Sequence, residues 1–252
     1  MPFQSRAIET PRILPLLLVA FFTTTAISQE FAVQNKVMQG STVRNETRTL
    51  ITPDAYYDVL FQGEKPAQVS TYLPGRRQQY CLVNLRHSTK ATIDVVDVHS
   101  FVAQVVLRAK DHKNPHVKFA ANPNFREQQE GDSLLLKSDV WSYVVEMKPT
   151  DDVQVVDAYR KFADAFARLN AFTSFPPNAR LELNRAIHRA ASLPTRVEVR
   201  LEHEDERYAR KQVTLHTYDW ELSDADRKII DATKRGIVEF EKVSLKEFQK
   251  TR

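Results

Sequence analysis

Several groups of residues in this sequence are of types that do chemistry, and their spacing decides which of them do. Asp111, His112 and His116 lie close together, and two histidines four apart chelate a metal when they share a helix face. Lys113-Asn114-Pro115 breaks such a helix, and the set falls short of the three or four oriented ligands a metal requires, so a solvated loop without metal is expected. His203-Glu204 opens like the zincin motif, but Arg207 stands where the second histidine belongs. Glu202, Glu204 and Glu206 supply carboxylates in one charged turn with nothing apolar beside them to raise a pKa, which argues against a glycosidase pair. The five glycines, at 40, 63, 75, 131 and 236, are scattered, so there is neither a phosphate-cradling loop nor a Gly-x-Ser-x-Gly elbow. Cys81, flanked by Tyr80 and Leu82, reads as a buried thiol; exposed in an oxidising compartment it would instead link two chains. Asn45-Glu46-Thr47 is a glycosylation sequon whose meaning depends on the source. No cofactor is implied.

The aromatic residues are more informative as a group. Tyr57, Phe61, Tyr72, Trp141 and Tyr143 fall on strands of the first half, and a sheet lined by such side chains forms an apolar groove for a ligand. The competing expectation is that they are core beneath a helix running from Val98 to Ala109. His87, His99, His188 and His216 are far apart in sequence and form a catalytic site only if the fold assembles one.

The elements that must position these residues begin after an N-terminal address. Arg6 and Arg12 precede an apolar run from Ile13 to Ala20, continued by Phe21 and Phe22, and Ala26 and Ser28 supply the small residues of a cleavage site before Gln29. Residues 1–28 are therefore expected to be a signal peptide, with the mature protein periplasmic or extracellular. The run to Ile27 contains Pro15 and is shorter than the ~20 residues of a membrane span, and no later run reaches that length, so no transmembrane segment is expected after signal removal. The mature chain carries 34 basic against 31 acidic residues, a balance that offers no basic module for nucleic acid.

From Phe31 to His87 the apolar period is two, which predicts a β-meander. Leu73-Pro74-Gly75-Arg76 reads as a type II turn with positive φ at Gly75, joining strands 67–73 and 78–87. Val98, Phe101, Val102, Val105, Val106 and Ala109 share a helix face, with Asp97 as N-cap. After a polar loop come strands 133–137 and 140–147, with Trp141, Tyr143, Val145 and Met147 on one face. Pro149 to Asp152 open an amphipathic helix bearing Val155, Tyr159, Phe162, Phe166 and Leu169. A second helix follows Pro176-Pro177, then a strand with Val197, Val199 and Leu201, a charged turn at 202–207, and a longer strand to Trp220. In that strand the apolar phase switches between Leu215 and Tyr218, which predicts a bulge or an edge. Ser223 to Asp226 and Ser244 to Glu247 are capping boxes, and Gly236 reads as a helix stop. The layout is α+β: an antiparallel, curved meander covered by a helix over 29–149, then a helix-rich part with further antiparallel strands over 150–252.

In the stretch 31–147, and above all in Val69-Ser70-Thr71-Tyr72-Leu73-Pro74-Gly75-Arg76-Arg77-Gln78-Gln79-Tyr80, the layout of strand, turn and returning strand resembles the periplasmic lipoprotein-carrier (Lol) type of half-barrel. The resemblance covers about half of the mature chain and implies a groove for lipid or a lipid-modified protein. The sequence from Thr150 on departs from that layout. The function expected is an exported, non-enzymatic protein that binds a hydrophobic ligand or lipid-modified partner in an apolar groove. Two alternatives stand beside it: an envelope structural or interaction protein with a solid core, and a hydrolase whose site is assembled from distant residues.

Overall fold

The computed structural model describes residues 30–75, 78–203 and 210–250. The expected signal peptide, its cleavage site at Ser28 and Gln29, Arg76 of the predicted turn and most of the charged turn at 202–207 lie outside them. The chain begins with six strands, β1 (Phe31–Gln39), β2 (Thr42–Ile51), β3 (Tyr56–Gln62), β4 (Lys65–Leu73), β5 (Gln79–Asn84) and β6 (Thr89–Asp94). Helices α1 (Val95–Ala109) and α2 (Pro115–Ala121) follow, then strands β7 (Arg126–Glu130), β8 (Ser133–Lys137) and β9 (Trp141–Pro149). Helices α3 (Val153–Asn170) and α4 (Asn178–Arg189) precede β10 (Ser192–Leu201) and β11 (Arg210–Asp219). The chain ends in α5 (Asp224–Glu239), β12 (Glu241–Lys242) and α6 (Leu245–Lys250).

The architecture is α+β, with one 12-stranded sheet in the order β12-β6-β5-β4-β3-β2-β1-β11-β10-β9-β8-β7. It consists of two antiparallel meanders that meet where β1 pairs with β11, so the two halves of the sequence share one sheet. Among the described residues, only the short β12 runs parallel to its neighbour. Period-two alternation gives each strand two different faces. On the front face, Phe31, Val33, Ile51, Tyr56, Tyr80 and Leu82 pack against Val155, Tyr159, Ala163, Phe166 and Leu169 of α3. Farther along that face, Leu134, Leu136, Trp141, Tyr143 and Val145 pack on Leu183 and Ile187 of α4. On the back face, Ala32, Leu50, Tyr57, Val59 and Val69 form a core with Leu222 and Ile230 at α5.

The element that covers the first meander is α3, not mainly the helix expected from Val98. Only Val95, Val98 and Ala109 of α1 are buried, and its Phe101 stacks on Phe172 just beyond α3, with ring centroids 4.1 Å apart. The helix also starts earlier than its predicted cap. Asp94 holds the N-cap position and Asp97 sits in the first turn, where an acidic side chain still faces the positive end of the helix dipole. Two elements occupy the expected polar loop. Asn114 caps α2 by accepting from the His116 amide at 2.9 Å, with Pro115 placed where a missing N–H costs nothing. All five residues of edge strand β7 are exposed, so no apolar alternation marks it.

The β4–β5 hairpin forms with Leu73 opposite Gln79, but Gly75 does not take positive φ. The connection is instead closed by the Gln78 amide donating to the Gly75 carbonyl at 3.1 Å, and Gln78 carries the positive φ, 39°. Gly236 does not stop α5; it lies inside the helix. A Cβ there would stand 2.9 Å from both the Phe240 ring and Val83 Cγ1, so the glycine permits close approach of the helix to β5. The predicted boxes do form, Ser223 with Asp226 and Ser244 with Glu247. No helix among the described residues is long and apolar enough to cross a membrane.

Candidate functional site

Neither the bulge nor the edge expected between Leu215 and Tyr218 occurs: β11 lies between β1 and β10 and pairs with β1 in unbroken register from Val213 to Asp219. The apolar phase changes there because His216, a polar residue, points to the front face while Leu215 points away from it. His216 is only 9% exposed. Its cross-strand partner on β1 is Asn35, Asn35 is opposite Thr47 on β2, and Thr49 of β2 is opposite Asp58 on β3. Antiparallel partners share a face, so these residues form a polar row across four strands of an otherwise apolar surface.

The row is continuous in hydrogen bonds. His216 Nδ1 lies 2.8 Å from Asn35 Oδ1. Asn35 Nδ2 donates to Thr49 Oγ1 at 3.0 Å and to Thr47 Oγ1 at 3.3 Å. Thr49 Oγ1 donates to Asp58 Oδ1 at 3.1 Å. Asp58 has hydroxyl partners but no cation paired with it among the described residues, and burial pushes its carboxyl up to about 6, with Thr49 and Thr47 acting in the opposite direction. Burial, helped by the field of Arg180, pushes His216 down to about 3, so its ring is neutral at ordinary pH, and its Nε2 has no hydrogen-bond partner among the described residues.

Asn35, Thr47, Asp58 and His216 line a cavity of about 1110 Å³ between the sheet and the α3–α4 layer. Its helical wall comprises Tyr159, Phe162, Ala163 and Phe166 of α3 and Arg180 of α4, with Phe175 and two prolines from the connecting segment. Its sheet wall continues through Val197, Val199 and Leu201 of β10 to Trp141 and Tyr143 of β9. Tyr159 stands edge-on to His216, with ring centroids 6.4 Å apart. Burial raises the Tyr159 and Tyr143 hydroxyls above the ordinary range, Tyr143 to about 12, so both remain protonated donors. The exposed Arg44, Arg210 and Lys211 line the same space and make its mouth basic. The arrangement can enclose an apolar chain against aromatic walls while hydrogen-bonding a polar end at the row.

Of the five aromatic residues expected in a groove, Trp141 and Tyr143 line this cavity. Tyr57 and Phe61 project to the back face, where Tyr57 is core and Phe61 packs against that core. Tyr72 lies on the front face outside the cavity, between Tyr56 and Tyr80 at 6.0 and 4.9 Å. The five are therefore not brought together. The alternation of Tyr57, Val59 and Phe61 along β3 is as the sequence predicts, but a strand's sequence does not say which of its faces meets which layer. Asn35, Thr47, Thr49 and Asp58 carried a weak sequence signal: polar residues that continue the phase of Phe31, Val33 and Ile51.

The other histidines are elsewhere. His87 and His99 are exposed, and His188 joins Asp157 at 2.7 Å on the outside of the α3–α4 pair. His116 Nε2 lies 2.8 Å from the Glu202 carbonyl, and His112 Nδ1 accepts from the Asn114 amide. No group of three or more metal-ligating side chains occurs among the described residues. Cys81 is buried.

The fold and the cavity define the chain as an α+β protein with an internal space between a mostly antiparallel sheet and a helical layer. No family model matches it and no curated protein does. Among solved structures it is similar to one described as PNGF-II in P21 space group, with a TM-score of 0.39 and 7% identity, over 88% of this chain and 33% of the other. The chain thus spans about a third of that protein, and a likeness of this size carries no argument about fold or function.

Proposed function

We propose that this is an exported, non-enzymatic protein that binds an amphiphilic ligand, a lipid or the lipid of a modified partner, in the cavity between the sheet and α3. The observation that carries the reading is that cavity, about 1110 Å³ with aromatic and aliphatic walls. It is of the size used for small-molecule sites, roughly 300 to 1,000 Å³, and slightly beyond. The apolar wall from Tyr159 to Phe166 suits an acyl chain, and the Asp58 to His216 row suits a head group. The N-terminal address and the Lol-type layout of residues 31–147 support the same reading.

The test is titration of the purified mature protein with a fluorescent fatty acid, with native mass spectrometry to count bound molecules. One ligand per chain, competed by unlabelled lipid and lost when Ala163→Trp fills the space, is the expected result. A clean apo mass with no dye uptake overturns the reading and leaves the envelope structural protein in its place. The hydrolase alternative has one observation in its favour, the neutral His216 held by Asn35 beside a cavity. It predicts turnover of a chromogenic ester that His216→Gln abolishes.

A further inference from the structure

We propose that the ligand carries a hydroxyl group on the end that reaches the sheet, where it donates a hydrogen bond to the row of Asp58, Thr49, Asn35 and His216. This inference rests on the ligand-binding reading above and specifies the chemistry of the head group.

The argument follows the protons along the row. An ionised Asp58 has only lone pairs to offer. Thr49 has one proton, and at 3.1 Å from Asp58 Oδ1 that proton belongs to the carboxylate. Thr49 Oγ1 must therefore accept from Asn35, which fixes the amide nitrogen on the β2 side, where its two protons serve Thr49 at 3.0 Å and Thr47 at 3.3 Å. Asn35 Oδ1 then faces β11 and accepts Nδ1–H of His216 at 2.8 Å. That tautomer leaves Nε2 as a lone pair, and Nε2 has no partner among the described residues.

The charge on Asp58 thus orients three side chains, those of Thr49, Asn35 and His216. Each of these donors is committed within the row, and the open valences at its two ends, on Asp58 and on His216, are acceptors. An ether or ester oxygen brought to this surface would set lone pairs against lone pairs, and the carboxylate of a fatty acid is drawn instead to the basic mouth lined by Arg44, Arg210 and Lys211. A hydroxyl or an ammonium matches the row. The rest of the cavity decides between those two: Arg44, Arg180, Arg210 and Lys211 line it, and Arg180 already opposes protonation of His216. A cation is disfavoured among them, whereas a hydroxyl is neutral and loses little on leaving water once it is hydrogen-bonded.

The experiment is displacement of a bound fluorescent fatty acid from the mature protein by 1-decanol and by methyl nonyl ether, which have the same number of heavy atoms and differ in the donor. The alcohol is expected to compete at a concentration about tenfold or more below the ether, as one hydrogen bond to a buried acceptor implies. In Asp58→Asn the ordered direction of the row is lost, and the ratio should fall below about threefold. Asn is isosteric and uncharged, so folding is retained, and a thermal melt checks it; Thr49→Val, which cuts the same link, provides the second variant. Equal competition by the two probes, preference for the ether, or a ratio unchanged in both variants overturns the hydroxyl assignment alone. Failure of the alcohol to compete when the fatty acid itself is bound also overturns it, and absence of any amphiphile binding removes the cavity reading beneath it.

Discussion

The two faces of β2 each border a carboxylate, buried Asp226 on one and part-buried Asp58 on the other, and they treat it in opposite ways. On the back face, Arg48 reaches Asp226 through Nε and a second nitrogen at 2.6 and 2.8 Å, and Asp219 at 2.7 Å. Ser223 closes the remaining valences of Asp226 in the capping box of α5. Burial alone would raise the Asp226 pKa, but the bonds from Arg48 and Ser223 outweigh it and hold the carboxyl below its ordinary range. One residue along the strand, on the front face, Thr49 gives its proton to Asp58, for which no cation is found among the described residues. A satisfied ion pair locks a helix to a sheet. An unpaired carboxylate at the edge of a cavity costs stability, and such costs concentrate where a protein binds or reacts.

The largest effect expected from breaking this contrast is on the back face. Arg48→Met leaves Asp226 buried without its cation and should destabilise the protein by about 3 kcal/mol or more, read from urea denaturation. A loss under about 1 kcal/mol would mean that the ion pair is not holding α5. On the front face the sign reverses. Asp58→Asn should stabilise by about 2 to 3 kcal/mol at pH 8, following from a carboxyl raised from 3.8 to about 6 on folding. Below pH ~4 Asp58 is protonated in both folded and unfolded chains and the gain vanishes; it grows between pH ~4 and ~6 and is complete above. Denaturation at pH 3.5 and pH 8 checks the sign, and an equal effect at both would refute it.

Smaller effects sharpen the contrast in packing. Gly236→Ala drives a methyl into Phe240 and Val83 at the tight contact of α5 with β5, for a loss of about 1 to 3 kcal/mol visible in the melting temperature. Ser223→Ala removes the cap of α5 and should cost about 1 kcal/mol by the same measurement. Val96→Ser, on the exposed side of α1, should change stability by no more than about 0.5 kcal/mol. If it costs as much as the cap, that side of the helix is covered in solution.

Much of the secondary structure was legible because it depends on local spacing. Strand β8 spans the residues its alternation predicts, Trp141 to Met147 share one face of β9 as their spacing predicts, and the Ser223 box forms as its spacing requires. The failures share a cause. Gly236 looked like a stop because a helical glycine usually ends a helix, and only the neighbouring Val83 shows that it makes room. The phase change at Leu215 looked like a bulge because an inward polar residue and a slipped register leave the same pattern in one strand. The candidate site is almost invisible for that reason: Asn35, Thr49, Asp58 and His216 are single polar residues on four strands, and His216 lies 181 positions from Asn35 in the chain.

The sequence by itself determined the alternation of the strands, the amphipathic helices and their caps, and the α+β class, because these follow from periods of two and 3.6 and from side chains within four positions of each other. Tertiary structure decided which layer each face meets, placing Tyr57 in a core and Tyr143 in a cavity wall. It decided too that β1 and β11 lie side by side, and with that pairing it joined a carboxylate, a hydroxyl, an amide and an imidazole into one row. Such a row depends on cross-strand register, which is fixed by the packing of whole faces and not by any residue's neighbours in sequence.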